Sequence, residues 1–139
     1  MNQYFIKKYL YPIPCNLGPL ISNYVNSMKD ISDGLIGDLT DMLNDKYGAL
    51  INVNKIPLSV ITKKILNNKN NFRLEDLLNA GDDYGLIIIS SQKNRNKIFN
   101  IANKNNVKIS CVGKIINEKG IYFDSHLDMK NMKKFDHFS

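Results

Sequence analysis

The chain has 139 residues, 43% of them hydrophobic and 23% charged, with 19 Lys and Arg against 13 Asp and Glu for a formal charge of +6. This is ordinary globular composition at the size of one compact domain, able to bury roughly two-thirds of its unfolded surface around one core. No uninterrupted apolar stretch long enough to cross a bilayer is expected, residues 1–10 do not indicate secretion, and Arg present only as Arg73 and Arg95 argues against a nucleic-acid groove, whose readers favour the bidentate fork of Arg. A cytoplasmic domain with no nucleic-acid or membrane partner is expected. Cys15 and Cys111 stand far apart, and neither they nor His126 and His137 have metal-ligand spacing.

In chain order, Tyr11-Pro12-Ile13-Pro14 reads as an extended lead-in, because each Pro restricts itself and its predecessor. Residues 1–14 are thus taken as a connection into a domain covering 15–139. Leu17, Leu20, Ile21, Tyr24 and Val25 recur at helical spacing and predict a first helix. After a segment ending near Asp30, Leu35, Leu39, Met42 and Leu43 form the apolar stripe of a second helix, with Asp38, Asp41 and Asp45 on other faces and a stop at Gly48. Ala49, Ile51 and Val53 alternate as a strand, and Pro57 opens a helix burying Leu58, Ile61, Ile65 and Leu66. Asn67 to Asn71 reads as a loop, and Leu74, Leu77 and Leu78 mark a short helix.

The run from Tyr84 to Ile89 is continuously apolar and rich in β-branched residues, as expected for a strand covered on both faces. Ile98, Ile101 and Ala102 mark another helix, Val107 to Ile116 a strand, and Ile121 to Phe123 a last strand after a turn at Glu118-Lys119-Gly120. Helices alternating with strands imply an α/β domain of the α+β type, layered α/β/α around a mixed sheet.

Two motifs carry candidate chemistry. Asp30-Ile31-Ser32-Asp33-Gly34-Leu35 lies where a strand hands over to a helix. Ser32 as a helix cap and Asp33 at the positive helix end would each contribute about 1 kcal/mol or less. Capping leaves Asp30 unexplained, since carboxylates this close repel unless a cation or a magnesium-bound phosphate lies between them. Ala80-Gly81-Asp82-Asp83-Tyr84-Gly85 places two more acids just before the buried strand, where a solvated glycine turn is the simpler reading.

Together, in this order and spacing, the two motifs resemble the C-terminal domain of thiamine-monophosphate kinase. The lead-in Tyr9 to Pro14, the strand Val112-Gly113-Lys114-Ile115 and the tail Phe135-Asp136-His137-Phe138 are similar to that family as well, so the resemblance covers nearly the whole chain. The first motif is shared with aminoimidazole ribonucleotide and selenophosphate synthetases and implies their C-terminal domain fold; the second motif and the tail point to the kinase.

The resemblance implies ATP-dependent phosphorylation of thiamine monophosphate to thiamine diphosphate, with magnesium ions bridging the phosphates. Asp30 and Asp33 match magnesium-binding acids, Ser32 a nucleotide contact, Asp82 an acidic substrate-binding position, and Phe135 an aromatic residue lying against the substrate. Oxygen ligands suit magnesium, and a thiazolium cation is attracted by a carboxylate and an aromatic face. Phosphoryl transfer of this kind needs positioning and charge neutralisation, with no covalent nucleophile. The family usually has Glu at the positions of Asp82 and Gly85, an apolar residue at that of Lys29, and Gly at that of Lys134. It also implies an N-terminal domain carrying most of the ATP site and the homodimer interface. By this reading the chain alone does not turn over and acts with that domain supplied in trans. The alternatives are a non-catalytic ligand-binding or interaction remnant of the same fold and a related synthetase domain acting on another phosphorylated substrate.

Overall fold

The computed structural model describes residues 15–67, 73–80 and 85–124, together with positions 3, 6, 7, 10, 11 and 13. Asp82 with the rest of Gly81 to Tyr84, Phe135 with the tail, Lys134, both histidines, Pro12 and Pro14 of the lead-in, and most of the Asn67 to Asn71 loop lie outside the described residues.

The elements run α1 (Leu17–Ile21), β1 (Ser27–Asp30), α2 (Leu35–Leu43), β2 (Gly48–Ile51), α3 (Val60–Asn67), α4 (Leu74–Leu78), β3 (Leu86–Ile89), α5 (Arg95–Lys104), β4 (Gly113–Ile116) and β5 (Gly120–Phe123). Among the described residues the strands form two sheets. β1 and β3 pair antiparallel, with Lys29 opposite Ile87 and Asp30 opposite Leu86. β2 is the centre of a mixed sheet, antiparallel to β4 and parallel to β5.

The β-branched run at β3 packs on both faces, as its composition requires. Ile87 joins Leu39, Leu43, Ala49 and Ile51 in one buried cluster, with Ile89 packed at its edge. Ile88 points the other way and packs against Leu17, Ile21, Ile98 and Ala102 of α1 and α5. The expected single core is therefore two clusters divided by the β1–β3 ribbon, because side chains alternate across a strand.

Several boundaries differ from the sequence pattern for local reasons. α2 ends at Leu43, five residues before Gly48, since Asn44 takes the left-handed conformation (φ 49°) and turns its N–H to the carbonyls of Thr40 and Asp41. Gly48 instead opens β2, where a Cβ would strike the backbone oxygens of Glu118 and Gly120. The 117–119 turn passes over this point, so β4 and β5 lie on opposite sides of β2 rather than pairing as a hairpin. Asn52 N–H donates to the Val112 carbonyl at 2.7 Å, and the predicted Val107 to Ile116 strand shrinks to the four residues that β2 can pair.

α3 starts at Val60 instead of Pro57, capped by Ser59, whose Oγ accepts the Thr62 N–H at 3.0 Å. None of its residues is fully buried, and Val60 is exposed. Among the described residues no helix is long and apolar enough to cross a membrane.

Candidate functional site

β1 delivers the chain to the first motif with Lys29 and Asp30 on opposite faces of the strand. Past Asp30, the Ile31 N–H donates to the Gly85 carbonyl at 2.9 Å. The chain then bends through Ser32 and Asp33 into α2. Gly34 stands at the helix entry with φ 91°, and a Cβ there would lie 2.7 Å from the Asn79 carbonyl carbon. Glycine is required on both counts, because L side chains avoid that φ and the backbone of Asn79 cannot retreat like a flexible side chain. Asn79, just before the second motif, and Gly85, its last residue, are thereby held against the loop of the first.

Ser32 does not cap α2, for no side chain caps this helix entry. The order runs the other way. Asp38, in the first turn of α2, reaches back and its Oδ2 accepts the N–H groups of Ser32 at 2.8 Å and Asp33 at 2.9 Å. Its Oδ1 takes the Lys29 ammonium at 2.7 Å and the Ser32 hydroxyl at 3.4 Å. Lys29 Nζ also lies 3.0 Å from Asp41 Oδ2.

The Asp38 side chain is fully buried, at 0% exposure, whereas that of Lys29 keeps 30%. Burial pushes the Asp38 carboxyl up, but Lys29 and the N–H groups of Asp33 and Ser32 outweigh burial and hold it below its ordinary value. Hydrogen bonds to Asp38 and then Asp41 raise the Lys29 ammonium well above the ordinary lysine range, against the opposing effect of desolvation.

Of the residues predicted to bind metal, Asp33 is half-buried and its carboxylate joins those of Asp38 and Asp41, with oxygens within 4.8 Å of one another. Asp30 is exposed and stands outside that group. Oxygen-only donors have the right chemistry for magnesium. Lys29 pairs with both Asp38 and Asp41, one ammonium against two carboxylates, and the Asp33 carboxylate stands beside them. Ser32 is exposed beside them.

Asp38 and Lys29 were not singled out as functional from the sequence. The available signal was the helical wheel: at about 100° per residue, Asp38 falls only about 40° from Met42 and so borders the apolar stripe of α2.

The family model described as AIR synthase related protein, C-terminal domain, matches residues 6–125. The chain belongs to this family, a class of domains that mix helices and strands as this one does. More narrowly, the chain resembles the C-terminal domain of thiamine-monophosphate kinase. It is 41% identical over 144 residues to the thiamine-monophosphate kinase of Buchnera aphidicola subsp. Schizaphis graminum, an alignment covering 97% of this chain and 43% of that protein. The crystal structure of thiamine monophosphate kinase from Aquifex aeolicus superposes with a TM-score of 0.71 at 24% identity, over 87% of this chain and 39% of that one. A structure described as AaThiL complexed with AMPPCP and TMP gives a TM-score of 0.70 at 23% identity, over 96% of this chain and 39% of that one. The chain thus spans less than half the length of the relatives it matches.

Proposed function

We propose that the chain is the substrate-side portion of a thiamine-monophosphate kinase and takes part in magnesium- and ATP-dependent formation of thiamine diphosphate. The observation that carries this reading is the joining of the two motifs: Ile31 is hydrogen-bonded to Gly85 and Gly34 is closed against Asn79, so the sequence around Asp82 starts and ends at the Ser32–Asp33 turn. The AIR synthase related family membership and the kinase relatives support it.

In this reading Asp30 and Asp33 hold magnesium, Ser32 contacts the nucleotide phosphate, and Asp82 and Phe135 receive the thiazolium of the substrate. The metal supplies neutralisation of phosphate charge. The chain supplies position. The nine-residue helix α2 starts at the turn with its N–H groups, which favour an anionic oxygen at that end. Most of the ATP site comes from sequence outside this chain, with which it acts as a cytoplasmic enzyme.

The test is reconstitution. Co-purified with the N-terminal portion of the Buchnera relative, the chain is expected to form thiamine diphosphate only when magnesium is present. Asp33→Asn should lower the rate about 100-fold, in the range seen when a charge-stabilising group is removed. A folded complex that binds both substrates and forms no product would overturn the proposal.

A second reading, ligand binding without turnover, is favoured by Gly85. Glycine offers no carboxylate at this position, and a Cβ there would lie 3.1 Å from Ile31 Cδ1, a contact that needs the end of the Ile31 side chain to shift by a few tenths of an ångström. Calorimetric binding of thiamine monophosphate by the reconstituted pair, without phosphorylation, would select this reading.

A further inference from the structure

Asp38 is the only fully buried charged side chain among the described residues. A carboxylate taken from water is strongly disfavoured unless its oxygens are filled. Here they are filled by four donors, all from residues 29 to 33: the Lys29 ammonium, the Ser32 and Asp33 N–H groups, and more distantly the Ser32 hydroxyl. α2 itself gains no cap from this arrangement. What the carboxylate adds is a hold on the incoming backbone.

We infer that Asp38, with Lys29 as its fixed counter-ion, is a positioning residue that sets the Ser32–Asp33 turn before any ligand arrives. Lys29 reaches Asp38 from β1, and Asp38 reaches the turn from α2, so the pair ties strand, turn and helix at one point. The ammonium also spans to Asp41, so one positive charge is shared between two carboxylates of α2. That the ordered turn then receives a metal-bound phosphate rests on the kinase reading; the ordering itself does not.

Amide hydrogen exchange on the full chain separates the two claims. Ser32 and Asp33 N–H groups should be protected about 10- to 100-fold, as charge-assisted bonds imply. Lys29→Met should lower protection at these two amides about tenfold while the β3 amides of Ile87 and Ile88 keep theirs, and Lys29→Arg should restore it. A double variant, Lys29→Met with Asp38→Asn, leaves no lone buried charge and should fold, with protection at both amides reduced because a neutral acceptor binds them less strongly. Unprotected wild-type amides at 32 and 33, or double-variant protection equal to wild type, would overturn the inference. So would equal loss at every amide in Lys29→Met.

In the reconstituted enzyme, Lys29→Met should raise KM for magnesium–ATP about tenfold, the size of the lost protection, and leave KM for thiamine monophosphate unchanged. Equal changes in both would count against positioning. Failure of the wild-type reconstitution would remove the kinase reading, and the exchange pattern would still decide the role of Asp38.

Discussion

Two tight loops of this domain are fixed by opposite means. The 31–34 loop ahead of α2 is held by a buried carboxylate that collects an ammonium and two backbone N–H groups. The 117–119 turn, which carries the chain from β4 across the start of β2 to β5, is held by shape: backbone oxygens of Glu118 and Gly120 close over Gly48, where no side chain fits. A loop locked by one charged side chain keeps its own polar groups at the surface, and Ser32 is exposed. The 117–119 turn is a joint, and the 31–34 loop is the one the kinase reading makes a presenting surface.

The largest expected effect breaks the joint. Gly48→Ala would drive a Cβ into two backbone oxygens that cannot rotate away, and should destabilise the domain by about 3 kcal/mol or more, read from the urea midpoint. Asp38→Ala should cost roughly 2–3 kcal/mol, because it strips the acceptor from the Ser32 and Asp33 N–H groups and leaves Lys29 without its buried partner.

Acid should act on the 31–34 loop through Asp38. The Asp38 carboxyl is held below its ordinary value in the folded chain, so the unfolded chain takes up its proton first. The resulting stability is fully present above about pH 4 and is lost as pH falls through the folded value. Lys29 is raised, so its share is present below its ordinary value of 10.5 and fades only at stronger alkali. A urea-midpoint series from pH 7 to pH 3 should therefore fall more steeply in wild type than in Asp38→Ala. Equal slopes would mean the carboxylate is not held as described. The smallest effect is expected at Asp41, whose side chain is 40% exposed: Asp41→Asn should change stability by about 0.5 kcal/mol or less, as for other surface pairs.

The sequence carried much of this arrangement and hid some of it for physical reasons. The run Leu86 to Ile89 declared a strand covered on both faces, and the spacing of Ile98, Ile101 and Ala102 declared α5, because burial writes its period into the residues. The strand-to-helix entry at Asp30 to Leu35 was legible from its acids and glycine. The order β4-β2-β5 was not, since nothing local in Glu118-Lys119-Gly120 distinguishes a hairpin from a turn that straddles a third strand. Gly48 read as a helix stop because a glycine needed for close approach has the same signature as one needed for a C-cap.

Asp38 was placed on a face other than the apolar stripe of α2, and the structure buries it. Its burial depends on Lys29, nine positions earlier on another element, and such a pairing leaves no periodic trace. The placement of Asp33 beside Asp38 and Asp41 was likewise tertiary information, as was the exclusion of Asp30 from that group.

The account stands or falls on the 31–34 loop being the surface that meets metal-bound phosphate. Paramagnetic broadening of backbone amides by manganese with AMPPCP, measured on the chain together with the N-terminal portion of a relative, tests this directly. Broadening centred on residues 30–34 and absent at 117–119 is the predicted result. A manganese–nucleotide complex that forms yet leaves residues 30–34 sharp would contradict it.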